Sequence, residues 1–505
     1  MKRKKELIVI LSSLLVIVLS VSVAYFTTKI LGTGKEISVE SADLKVIFTS
    51  GSGTINGTNI EPGWSSGDNT FTVKNESNGT YKYNIIIKDL INTFVTDGFL
   101  QYKITSTSGG YNMTDFEDVP KSSTAIDTIL AENISIEKGA THTYKIVINY
   151  NNNDDVDQSA DMGKKLSGKI FIEKFIPTLV SKLLEDNPTI QTRSSFNTVF
   201  TTTNTGTLYK ATESIAGSAA KDVYYFAGDA KNNWVKFGKN SSNQDLYWRI
   251  IRTNADGSIR LLYSGTSPDT TEGYIGKSEF NTSADSPKYV GYMYGDADTT
   301  LEEARTNTND SVIKTYVDNW YENNLTSYTN YLSNDAVYCN DRELESGDTY
   351  STSSYFYFKS YDRLVINKTP IYDCTNNKDV FSVNNTEAKL KYPIALMTAD
   401  EIAYAGGVTF TKLTSPYAWY YLNSTGGSIT GSSNWWSLSP VHWDVDDARL
   451  WVVDGSAFPG YLDDGDNVFS SSSVRPVVSL KSCTLWTSGN GAPETPYEIV
   501  ENGGC

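Results

Sequence analysis

The sequence predicts a mainly β protein: an antiparallel β-sandwich followed by an α+β domain. Three observations carry that reading. The chain has 505 residues, more than one ordinary hydrophobic core organises. Its 33 tyrosines against 5 methionines suit strands better than helical bundles. Between Ser38 and Phe175 short runs alternate apolar and polar residues across Gly, Asn, Ser and Asp clusters, and a long helical stripe first shows only after Glu302.

Residues 1–30 set the compartment. Met1-Lys2-Arg3-Lys4-Lys5 is basic, and Leu7 to Phe26 is an apolar run without charge, the pattern of an export signal. Ser22-Val23-Ala24 offers a cleavage point after Ala24; uncleaved, residues 7–26 are long enough to hold the protein in the membrane. Either outcome places the rest outside the cell membrane, surface-held or secreted, because the positive charges stay inside.

Residues 31–176 are expected to form the β-sandwich of seven or eight strands. Leu44–Phe48, Thr70–Lys74, Lys82–Ile87, Tyr102–Ile104, Thr143–Ile148 and Gly168–Ile172 each bury one face by alternation. Residues 177–222 read as a connector, with a short helix over Leu179–Leu184 ended by Asn187-Pro188.

Residues 223–481 form the second domain. Tyr224–Gly228 and Trp234–Phe237 read as strands across an Asn232-Asn233 turn. Tyr247–Arg252 and Ile259–Tyr263 flank Asp256-Gly257, a strong hairpin signal. From Glu302 onward Val312, Tyr316, Val317, Trp320, Tyr321 and Leu325 make a helical stripe. A second helix starts at Thr398 as N-cap and stops at Gly406-Gly407. Residues 482–505 read as a disulfide-pinned tail. The four cysteines allow three pairings, of which Cys339–Cys374 and Cys483–Cys505 close local loops, as suits an exported chain.

The net charge of −16 argues against a nucleic-acid partner, which needs a basic face. Function concentrates in Asn434–Leu480, where indoles meet Asp444, Asp446, Asp447, Asp463, Asp464 and Asp466. Neighbours on a strand face opposite ways, so Trp435 is expected in the core with Trp436 at the rim, beside His442, Trp443, Asp444 and Asp446 as a ligand surface. Asp463, Asp464 and Asp466 are the candidate ligands for Ca2+, against the plainer reading of solvated loop charge. Asn153–Asp157 opens like a calcium loop but lacks the sixth-position Gly, and Lys164 stands where the bidentate acid belongs. Trp248, Asp400, Glu401 and Arg475 are structural candidates, with Arg475 locking a loop by pairing with Asp400 or Glu401. No GxSxG, HExxH or Cys/His pair is present, so the expectation is a binding protein, not an enzyme.

Two resemblances follow. Tyr247-Trp248-Arg249-Ile250, Trp320-Tyr321, Cys339-Asn340-Asp341-Arg342, Tyr392–Leu396 with Thr398–Glu401, Trp435–Pro440 and Val474–Val478 resemble a bacterial surface domain of unknown function. That family belongs to the C-type-lectin-like fold shared with formylglycine-generating enzymes. The likeness implies a fold and an exported setting but no known activity; the Trp-, Tyr- and Asp-bearing loops give the expectation of a lectin-like head recognising a protein or glycan at the cell surface. The reactive cysteine pair of the enzymes and the Glu-Pro-Asn or Gln-Pro-Asp sugar triplet of calcium-dependent lectins are both missing, and a surface enzyme is the remote alternative. The signal, Ile60–Trp64 and Phe71–Asn75 resemble camelysin and TasA-type secreted sandwiches, some of which form fibres. That likeness implies a stalk or, alternatively, self-assembly as an extracellular matrix subunit.

Overall fold

The computed structural model describes residues 60–77 and 79–500 in full, and residues 37–41 and 44–50 as strand backbone. The expected signal or anchor, its cleavage point after Ala24 and the membrane span 7–26 lie outside the described residues. Among the described residues no helix is long and apolar enough to cross a membrane. The chain is mainly β and divides into two compact units, residues 1–175 and 176–505.

In the first unit, one sheet runs in the order Ile37–Ser41, Leu44–Ser50, Asn69–Asn75, Thr141–Tyr150, Leu100–Ser106 and Glu117–Asp118. A three-stranded sheet has Tyr81–Asn92 between Leu166–Lys174 and Ser122–Ile136. All these pairings are antiparallel. Phe71 and Val73 from the first sheet meet Tyr83, Ile85, Ile87 and Ile170 from the second in one apolar cluster; Thr70 and Lys74 stay wet as alternation requires, whereas Asn84 and Ile86 of Tyr81–Asn92 are buried too. The six expected strands all form. Ser122–Ile136 escaped the sequence reading because its apolar residues do not alternate toward the core, and Ile126 and Ile129 are exposed.

This unit has one notable polar knot. The hydroxyl of Tyr83 lies 2.9 Å from His142 Nδ1 and 2.5 Å from the hydroxyl of Tyr144, which accepts from the Tyr111 amide at 3.1 Å. Gly110 is required beside it: φ is +92°, and a Cβ there would sit 2.2 Å from the Tyr144 hydroxyl.

The second unit reaches further than its expected limits. Thr178 caps a helix over Leu179–Asp186, accepting from the Ser181 amide at 3.1 Å. Thr189–Gln191, Thr207–Glu213 and Lys221–Tyr225 then join the main ten-stranded sheet, so residues 177–222 are part of this body and not a connector. The tail joins too, through Trp486–Ser488 and Tyr497–Ile499 at the far side of the sheet. The expected pairing of Tyr224–Gly228 with Trp234–Phe237 does not occur: Asp245–Thr253 lies between Lys221–Tyr225 and Trp234–Lys239 and pairs with both.

Asp245–Thr253 and Ile259–Tyr263 form the expected hairpin, although its loop is five residues, Asn254–Ser258, with Gly257 at φ +81°. The stripe after Glu302 is split. A single turn at Leu301–Ala304 ends before Ser311 caps the longer helix Val312–Asn324. Val317, Tyr321 and Leu325 enter the core as expected, and Tyr316 and Trp320 pack at its margin. Ala399–Ala405 is the other expected helix. Thr398 and Glu401 make a capping box at its start, and Gly406 ends it at φ +129°.

A six-stranded sheet holds Lys277–Ser278, Ser472–Ser473, Trp435–Trp443, Ala448–Val453 and Leu462–Asn467 in order, with Phe356–Tyr357 paired to Trp435–Trp443. Trp248, Trp419, Trp435, Trp436, Trp443 and Trp451 share one core. The Cys339–Cys374 disulfide forms, with Cα atoms 5.8 Å apart. Cys483 is disulfide-bonded, and its expected partner Cys505 lies outside the described residues.

Candidate functional site

Every residue of Trp435–Trp443 is buried, so both faces of that strand are covered and the expected rim position is absent. The Trp435 ring carries the Arg475 guanidinium at 4.9 Å, and Trp436 donates from Nε1 to the Ser278 carbonyl at 2.9 Å beside Phe280. Trp443 is likewise buried, against the expectation of a ligand-facing ring. Alternation held; what failed was the premise that one side of the strand meets water. Trp248 is fully buried and donates to the Phe237 carbonyl at 2.8 Å, as a structural residue should.

Arg475 does not pair with Asp400 or Glu401. Its Nη1 donates to the Tyr420 carbonyl at 2.8 Å and its Nε to Tyr263 and Gly273 carbonyls at 3.2 and 3.1 Å. Burial draws its pKa down to about 9, which leaves it charged at neutral pH. Asp400 instead holds Arg363 (3.0 and 2.8 Å), and Glu401 takes Arg252 (3.0 Å) and Arg260 (2.8 Å). Burial alone would raise the Glu401 pKa, but Arg260 and Arg252 outweigh it and hold the carboxyl below its ordinary value. The cavity inside this network is about 20 Å³, room for one water and no ligand. It is scaffolding.

The open chemistry lies at the other end of the same strand. Tyr357 pairs with His442, and His442 with Arg449, which puts the three in a row across neighbouring strands. Tyr355 stacks on the His442 ring at 5.3 Å, Tyr357 meets it edge-on at 5.7 Å, and Tyr361 stacks on Tyr357 at 3.8 Å. Tyr357 also hydrogen-bonds both other phenols. Asp444 and Asp446 stand exposed in the following turn, where Val445 takes φ +53°. The ion pair of that turn is Asp447 with Arg449, at 2.7 Å, and Arg449 also donates to the Gly465 carbonyl at 3.1 Å.

His442 is 7% exposed, and its Nδ1 and Asp447 Oδ1 are buried without hydrogen-bond partners. Such atoms are uncommon in folded proteins and call for a functional or solvent explanation. Burial pulls the imidazole below its ordinary pKa against the upward pull of Asp464, Asp444 and Asp447, so it is neutral at pH 7. Burial and the bond to Tyr357 raise Tyr361 to about 12, so that phenol keeps its proton. The patch therefore combines aromatic rings with the negative field of Asp444 and Asp464.

Of the expected ligand surface, His442, Asp444 and Asp446 share this end of the strand, and Trp436 and Trp443 do not reach the surface. Asp463, Asp464 and Asp466 lie on one strand, Leu462–Asn467, where Asp466 accepts from Ser472 at 2.9 Å. Burial and the charges of Asp463 and Asp466 push Asp454 up to about 6. Among the described residues no group of three acidic, His or Cys side chains is arranged to hold a metal ion.

The tyrosines escaped the sequence reading. Their signal was Tyr355-Phe356-Tyr357-Phe358, an alternation that sends both phenylalanines into the core and both tyrosines outward. Comparison with protein-family models, curated proteins and solved structures finds no match for this chain.

Proposed function

We propose that this is an exported bacterial surface protein whose second unit is a lectin-like recognition head on a β-sandwich stalk. In this reading the Tyr355–Tyr357–Tyr361 ledge docks a protein ligand that presents basic side chains. The observation that carries it is a solvent-facing row of phenols beside Asp444 and Asp464, with Arg449 already engaged by Asp447. Cations favour aromatic faces by about 0.5–2 kcal/mol, and nearby carboxylates add to that attraction. Acidic, tyrosine-rich surfaces select partners more by charge complementarity than by area.

The test is binding of the full chain to poly-lysine and poly-glutamate peptides and to a panel of basic proteins. Poly-lysine should bind and weaken with salt, and Tyr355→Ala with Tyr357→Ala should reduce affinity about tenfold. Equal binding of the two polymers, or no effect of the paired substitution, would reject the docking surface.

A second reading, a fibre or matrix subunit, draws on one observation. Ser122–Ile136 is fifteen residues long, lies at the margin of its sheet among the described residues, and exposes Ile126 and Ile129 at 41% and 53%. A long apolar edge invites strand addition. Electron microscopy of the purified chain at neutral pH decides: filaments favour this reading, single particles remove it.

A further inference from the structure

A groove of about 280 Å³ opens in the second unit, away from the tyrosine ledge in sequence and built from other strands. Phe237 and Gly238 of Trp234–Lys239 meet the helical turn Thr326–Tyr331 and the tail strand Tyr497–Ile499 there. Tyr328 and Tyr331 stand edge-on to the buried Phe237 ring, with centroids 5.5 and 5.9 Å away. Both tyrosines are half-buried and so held in place without being hidden. Gly238 takes φ +79°, a conformation that favours glycine, and the Tyr328 ring packs beside it.

Two ion pairs form the rim, Lys236 with Glu498 and Lys239 with Asp245, and all four side chains are about a third or more exposed. Glu498 is held from behind by the Ser488 hydroxyl, which donates to it at 2.8 Å.

Balance of charge decides what fits. Two ammonium groups face two carboxylates, so the groove carries no net charge to attract an ion. Each partially exposed head group still has donors or lone pairs to share. A ligand that uses both kinds at once, and also offers an apolar face to phenol rings, is a sugar ring: hydroxyls donate and accept along its edge, and C–H bonds line one face. The size suits a single ring, being just under the usual range of pockets for drug-sized ligands.

We propose that this groove is a carbohydrate subsite, taking one neutral pyranose residue on Tyr328 and Tyr331 with its hydroxyls on Lys236, Glu498, Lys239 and Asp245. It shares no residue with the acidic ledge and needs no calcium. It also gives the tail a task, because Glu498 belongs to a segment that the sequence marks only as closing the chain.

The experiment is calorimetric and saturation-transfer titration of the full chain with cellotriose, chitotriose and maltotriose at millimolar concentrations. Saturable binding of at least one, insensitive to salt, is expected. Tyr328→Ala should weaken it about tenfold and Glu498→Gln by a few-fold, with Tyr328→Phe close to the parent. Poly-lysine binding at the ledge should be untouched by all three substitutions, which also reports that the variants are folded. If Tyr328→Ala fails that control, Glu498→Gln alone decides. No saturable binding of any trisaccharide, or binding that survives these substitutions, overturns the proposal.

Discussion

The interiors of the two units solve one problem differently. From Ser38 to Phe175 the sequence contains no arginine, and the polar knot of that core is the Tyr83–His142–Tyr144 cluster. The second unit buries Arg249, Arg252, Arg260, Arg305, Arg342, Arg363 and Arg475. Strand ladders satisfy most backbone groups of the first unit. In the second, buried guanidiniums take carbonyls both from irregular segments and from the ends of strands. Arg249 takes those of Ala230 and Leu422, Arg342 those of Met293 and Lys378, and Arg475 those of Tyr263, Gly273 and Tyr420. A guanidinium presents five donors in a plane, which suits a junction of several loops. Regular sheets need few such ties; a loop-rich body depends on them.

The sharpest way to break this contrast is to cut one tie. Glu401→Gln leaves Arg260 buried without its carboxylate and should cost about 3–5 kcal/mol. Hydrogen exchange should show the loss in residues 176–505 and leave 1–175 protected as before. A loss below about 1 kcal/mol would mean the network is passive.

Replacing Cys339 and Cys374 together with Ser should cost about 3–4 kcal/mol by loop entropy, measured in denaturant against the oxidised parent. A smaller effect follows from the helix that positions Glu401: Thr398→Ala removes an N-cap and should cost about 1 kcal/mol in the same assay.

The subtlest difference is in pH response. Burial lowers the His142 pKa below its ordinary value of 6.5. The unfolded chain therefore binds this proton at higher pH than the folded one. Its contribution is complete above about 6.5 and is lost as pH falls below that value toward the folded pKa. Acid should loosen the first unit in that window, and His142→Asn should flatten the slope. An unchanged slope would place the proton sensitivity elsewhere.

The same contrast explains what could be read in advance. Asn69–Asn75 and Thr141–Tyr150 were legible because they bury alternate residues as their patterns require, with the other face of each turned toward solvent. The Thr398 cap, the Gly406 stop and the Asn254–Ser258 hairpin were legible because caps and turns are local chemistry. Trp436 misled because a strand covered on both faces carries no wet side to mark. Arg475 misled because its partners are carbonyls, which every residue owns. The tyrosine ledge was half legible: His442 and Asp444 drew notice by residue type, whereas Tyr355 and Tyr357 needed the pairing with His442 to acquire meaning.

By itself, then, the sequence determined a mainly β chain, its local turns and helix ends, and the Cys339–Cys374 closure, because these depend on residues near one another or on simple periodicity. Only the tertiary structure decided that the tail and the supposed connector belong to the second body, which carboxylate each arginine holds, and which aromatics meet solvent. Those outcomes depend on contacts between residues as far apart as Asp186 and Tyr497, and no local pattern encodes such a meeting.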